Sequence, residues 1–178
     1  MKKAIATLLP IFITACSDEI DLVQNGIMNI NRTLTVGEAF NSWSECEKSD
    51  WNKLESDNGV NLVEFKCTVK SVPQMMGYTK VAYGEQPCLN LVGIEKQFQW
   101  SINKDGSFQL NDVKEIYKYG DGVVKTTRLG YFDQEIRRVY QDKATVDLTA
   151  LEAASPSKLK SLTWDMKLES CEVYLHAK

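Results

Sequence analysis

The 178-residue chain is 43% hydrophobic and 25% charged, the composition of an ordinary globular protein, and it is long enough for one domain with a sizeable core. Its 21 basic and 24 acidic side chains give a formal net charge of −3. No basic patch or run of basic and aromatic residues lays down the footprint of a nucleic-acid binder, and the acidity is too slight to define a partner by charge alone.

The first element is a leader. Lys2 and Lys3 precede an apolar stretch from Ala4 to Ile13, broken only by Thr7 and Pro10. This is the layout of a secretory signal, too short to remain as a membrane span. Its end, Ile13-Thr14-Ala15-Cys16, resembles the bacterial lipobox. The resemblance implies that residues 1–15 are removed and that Cys16 becomes the first residue, acylated on its sulfur and on its new amine. The thiolate is the nucleophile such chemistry needs, and three acyl chains exceed what stable anchoring requires. Ser17 at the next position implies the periplasmic face of the outer membrane, while Asp18 one place on weighs toward the inner membrane. The plainer alternative is an ordinary signal cut at Ala15, with Cys16 an incidental thiol. Residues 16–25 read as a polar tether and 26–178 as a single domain.

Ile27, Met28, Ile30 and Leu34 alternate loosely and predict a first strand over 26–34. Thr35 with Glu38 forms the T-x-x-E pattern of a capping box, and Val36, Ala39, Phe40 and Trp43 follow helical spacing, so a helix is predicted over 36–47. Trp51 and Leu54 fall in a polar stretch read as a loop or short turn, and Asp57-Asn58-Gly59 marks a turn. The clearest strand is 61–70: Val63, Phe65, Cys67 and Val69 take one face, Glu64, Lys66, Thr68 and Lys70 the other. Residues 71–92, with Pro73, Gly77, Gly84 and Pro87, read as irregular. Ile94, Phe98, Trp100 and Ile102 share one parity in a strand over 94–102. A turn at 103–106 returns the chain into a strand over 108–119. Phe132, Ile136, Val139 and Tyr140 predict an amphipathic helix, and 148–154 a short helical piece. Leu162, Trp164, Met166 and Leu168, then Cys171, Val173 and Leu175 on the other parity, predict a last strand with a break near 169–170. The fold class is α+β: an antiparallel sheet with one or two helices packed on one face.

Cys46, Cys67, Cys88 and Cys171 are an even set in a chain with a secretory leader, which predicts two disulfides. None of their spacings suits a metal, and His176 is the only histidine. Helix 36–47 and strand 61–70 are consecutive elements, and consecutive elements usually pack together. That favours Cys46–Cys67 with Cys88–Cys171 over the two alternative connectivities.

The chemistry of known catalytic motifs is missing: the sequence has no G-x-S-x-G, no H-E-x-x-H, no P-loop and no dinucleotide fingerprint. No catalytic residue, metal or cofactor is expected. Asp18, Glu19, Glu45 and Glu47 read as solvated charge. Trp43, Trp100 and Trp164 sit on the apolar parity of periodic elements and read as core. Trp51 is a candidate exposed anchor for a partner, and Met75, Met76 and Tyr78 form a second candidate contact surface.

The segment with Thr35-Val36-Gly37-Glu38-Ala39-Phe40 and Val63-Glu64-Phe65 resembles small proteobacterial lipoproteins that share a T-V-G-x-A-[FL] helix start followed by a V-x-F strand. The likeness runs over residues 25–69 and implies no activity. The expected function is a non-enzymatic protein-interaction module held to a membrane by its N-terminal lipid and meeting an envelope protein. The alternative is a periplasmic inhibitor or immunity protein against a lysozyme-like enzyme or toxin, an analogy of architecture.

Overall fold

The computed structural model describes residues 19–177. Five strands form one antiparallel sheet in chain order: β1 (Cys46–Glu55), β2 (Asn61–Val69), β3 (Leu91–Ile102), β4 (Phe108–Tyr119) and β5 (Val124–Arg128). The register pairs Val63 with Trp100, Phe65 with Phe98 and Cys67 with Lys96, and then Phe98 with Val113 and Lys96 with Glu115. A period of two therefore gathers these side chains on one face. The other face carries Glu64, Lys66, Glu95, Asp112, Lys114 and Lys118, bonded in pairs such as Lys66–Glu64 at 3.1 Å and Lys118–Glu95 at 2.9 Å. The hairpin between β3 and β4 turns through Gly106 at φ +80°, a conformation that side chains disfavour and glycine adopts freely.

Helices pack on the apolar face at both ends. Toward Val63 and Trp100 lie α1 (Glu19–Gln24), α2 (Val36–Asn41) and α4 (Phe132–Tyr140), whose Val23, Val36, Phe40, Ile136 and Val139 are buried with Phe65 and Phe98. Phe40 is the hub, meeting Phe65, Phe98 and Trp100 edge-on at 5.0, 5.0 and 5.1 Å, the arrangement aromatic quadrupoles favour. Toward Val69 and Leu91 lie α3 (Val72–Tyr83) and α7 (Trp164–Leu175), which bury Val72, Met75, Met76 and Tyr174 against Tyr117 and Tyr119. The short α5 (Leu148–Glu152) and α6 (Pro156–Leu162) connect α4 to α7. The class is α+β as the sequence predicts, with more helices than the one or two expected.

Several elements differ from the sequence reading. Part of the predicted tether is α1: Val23 is fully buried, and Glu19 bonds Lys53 at 2.7 Å and Asn61 at 3.1 Å. Where a first strand is predicted over 26–34, only an isolated bridge joins Met28 to Asn31. The capping box at Thr35 and Glu38 forms as expected, but the helix stops at Asn41. Cys46 then opens β1, an edge strand that is almost wholly exposed and therefore lacks an apolar signal. The exposed edge strand β5 escapes notice for the same reason. Residues 72–83 are helical despite Pro73 and Gly77. Pro73 occupies the first turn, where no intrahelical donor is lost, and Gly77 is exposed.

The predicted last strand is α7. Its alternation is a coincidence of composition. Met166, Ser170 and Tyr174, one turn apart, form the inward side, while Trp164, Leu168 and Leu175 point outward.

Candidate functional site

Midway between the two apolar clusters, β3 places a lysine on the buried face. Lys96 is 1% exposed. The strand register sets it opposite Glu115, and α4 lays Glu135 over it. Its ammonium donates to Glu115 at 2.8 Å and to Glu135 at 2.6 Å. Arg138, one helical turn along α4, bonds the other oxygen of Glu135 at 2.9 Å. On β4, the Tyr117 hydroxyl lies 2.7 Å from Glu115 and also against Glu169 of α7. The chain Arg138–Glu135–Lys96–Glu115–Tyr117–Glu169 thus links the sheet to two helices. It borders a cavity of about 400 Å³, with an apolar wall that includes Val72, Met75, Ile94 and Met166.

The electrostatics are those of fixed charges. Burial by itself pulls Lys96 down, but attraction and hydrogen bonding to Glu115 and Glu135 outweigh it and hold the ammonium above the ordinary lysine value. Burial, reinforced by Glu115 and Glu169, pushes the Tyr117 phenol far above the ordinary tyrosine value. Both protons are held well away from neutral pH. Four carboxylates (Glu115, Glu135, Asp165 and Glu169) face two cations (Lys96 and Arg138) around the cavity, so its lining is electronegative. Among the described residues, no group of three or more His, Cys, Asp or Glu is placed to hold a metal.

No protein-family model, curated protein or solved structure matches this chain. No helix of the described residues is long and apolar enough to cross a membrane. Cys16 and the predicted leader lie outside the described residues.

The other sites named from sequence are placed as follows. The disulfides join Cys46 to Cys67 and Cys88 to Cys171, the favoured pairing. The first ties β1 to β2 rather than a helix to a strand; the second ties the 3-10 turn at Pro87–Leu89 to α7 rather than to a strand. Such bonds belong to an oxidising, extracytoplasmic compartment.

Trp51 is not a free anchor. Its indole stacks on Trp100 at 5.5 Å, meets Phe65 at 4.9 Å and donates to Asn41 at 2.8 Å. Met75 and Met76 are buried on α3 and Tyr78 is half-buried, so the expected contact surface is a core face; Met75 also walls the cavity. Glu45, expected in solvent, is 1% exposed and accepts from the Ser71 hydroxyl. Trp43 and Trp100 are buried as expected, whereas Trp164 is 47% exposed.

Apart from Met75, the cavity residues are not among the sites the sequence predicts, although a signal for them exists. Lys96 stands at the parity of Ile94, Phe98 and Trp100, and Glu115 at that of Val113 and Tyr117. A charged residue at a buried parity on each of two paired strands marks an internal ion pair.

Proposed function

We propose that this is a lipid-anchored protein of the periplasmic face of the outer membrane that acts by binding another envelope protein and not by catalysis. The observation that carries the reading is the state of the cavity floor. General acid–base catalysis works best with groups titrating near the operating pH. Here Lys96 and Tyr117 are both driven the other way and locked to carboxylates, which suits a rigid, charged recognition surface. The anchor fits the start of the fold: α1 begins at Glu19, three residues after Cys16. An extended chain of that length reaches about 10 Å, so an acylated Cys16 holds the domain close to the bilayer.

Fractionation of cells making the wild type and Cys16→Ala tests the proposal. The wild type is expected in the outer-membrane fraction, resistant to salt extraction and labelled by a fatty-acid tracer. Cys16→Ala is expected to be soluble, folded and unable to complement a deletion strain. Full complementation by the unlipidated form, or a substrate turned over by the wild type and not by Lys96→Met, overturns the reading. The excess of carboxylates around the cavity also favours the second reading, an inhibitor or immunity protein for a basic lysozyme-like enzyme or toxin. Inhibition of a muramidase in titration against the purified protein supports that alternative.

A further inference from the structure

We propose that the cavity bounded by β3, β4, α3, α4 and α7 receives an alkylammonium group: an ammonium head on an apolar stem, carried by a lysine side chain of a partner protein or by a free amine. The inference rests on the binding reading above and names what is bound. Concave sites that combine apolar walls with converging polar groups are the usual form of a ligand site, and this cavity has both, with a larger charged share than most.

Three observations fix the chemistry. The first is unbalanced charge. Asp165 and Glu169 lie one turn apart on α7, both exposed and both lining the cavity, where like charges repel. Neither is ion-paired among the described residues, since Lys96 and Arg138 are spent on Glu115 and Glu135. The second is a shortage of protons. Tyr117 has one hydroxyl proton and two carboxylates, Glu115 and Glu169, within reach of its oxygen. A donor arriving beside Glu169 relieves the competition of the two carboxylates for the phenol proton. The third is an idle acceptor. The hydroxyl oxygen of Thr145, another lining residue, is shielded from solvent and has no hydrogen-bond partner among the described residues.

The last two needs are met by any donor, and the first requires that the donor be a cation. An anion meets the excess of carboxylates, and a neutral guest leaves it unbalanced. The apolar wall around Val72, Met75, Ile94 and Met166 accepts the stem. Lys96 already shows the arrangement in miniature, a buried butyl chain ending in an ammonium between two carboxylates.

The test is calorimetric titration of the detergent-solubilised full-length protein with four probes: n-pentylamine, n-pentanol, pentanoate, and a lysine dipeptide mimic blocked at both ends. The expected result is saturable binding of an amine, with the alcohol and the acid silent. Tighter binding of the blocked lysine than of pentylamine assigns the guest to a protein side chain, and the reverse assigns it to a free amine. The Asp165→Asn/Glu169→Gln double variant, with circular dichroism matching the wild type, is expected to bind the amine at least about tenfold more weakly. Should the double variant not fold, Thr145→Val is used in its place and is expected to weaken the amine by a smaller factor. Absence of saturable amine binding, equal binding of pentanoate, or undiminished affinity in the folded variant overturns the proposal. Saturable binding of the alcohol or the acid alone removes the ligand class but leaves the binding reading standing; turnover of a substrate removes the binding reading instead.

Discussion

Lys96 is the residue on which most depends. Its ammonium sits out of water only because Glu115 and Glu135 meet it at 2.8 and 2.6 Å. Removing one partner of such a group leaves uncompensated buried charge, which costs about 3–5 kcal/mol, whereas removing all the charges costs much less. Lys96→Met is therefore expected to lose about that much in urea unfolding. The triple variant Lys96→Met/Glu115→Gln/Glu135→Gln is expected to recover part of it; a triple variant no more stable than the single would show that the charges are not the cause.

Alkaline pH probes the same residues. Lys96, Tyr117 and Tyr140 all hold their protons more tightly in the folded chain than the ordinary values of 10.5 and 10.0, Tyr140 being pushed up to about 12 by burial. The native state then binds more protons than the unfolded state at high pH, so stability falls as pH rises. The loss begins near pH 10, where the unfolded groups titrate, and continues as pH passes the raised folded values. Thermal melts from pH 8 to 12 are expected to decline less steeply for Tyr117→Phe than for the wild type.

At the scale of elements, α7 separates pattern from packing. Its side chains alternate in hydrophobicity as a strand would, yet the inward side is Met166, Ser170 and Tyr174. Tyr174 is 5% exposed and packs edge-on against Tyr119 at 5.0 Å. Tyr174→Ala is expected to cost about 3–5 kcal/mol, the range for deleting a buried aromatic. Leu168→Ser, on the solvent side, is expected to cost within about 0.5 kcal/mol. Comparable losses from the two in chemical denaturation would contradict the helical orientation. The edge strands teach the converse. β1 and β5 have little apolar patterning because neither face nor outer edge is fully covered, and the ladder to β2 or β4 holds them in place.

Across the whole molecule, one sheet serves two apolar clusters, and each cluster has a disulfide. Cys46–Cys67 closes a separation of 21 residues at the cluster around Phe40, and Cys88–Cys171 closes 83 at the cluster around Tyr117. On the loop-entropy account the shorter loop contributes about 3 kcal/mol and the longer about 4.5 kcal/mol. Paired Cys→Ala variants are expected to lower the thermal midpoint in that order, Cys88/Cys171 more than Cys46/Cys67; the reverse order would show that native packing and not chain entropy dominates.

The sequence by itself determined β2, β3 and β4, the capping box at Thr35 and helix α4, and it favoured the pairing of the four cysteines that forms. The elements follow from period-two or helical spacing and local side-chain bonds, which act over short separations, and Cys46–Cys67 from adjacency along the chain; Cys88–Cys171 follows only as the remaining pair. Only the tertiary structure decided that 164–175 is a helix, that Trp51 turns inward, that α1 docks on the sheet, and that Lys96 meets Glu115, Glu135 and the cavity. Those outcomes depend on groups from different elements being desolvated together. A charge placed at an apolar parity is visible in one strand, but its partner, and hence whether burial is tolerable, exists only once the register and the overlying helix are set.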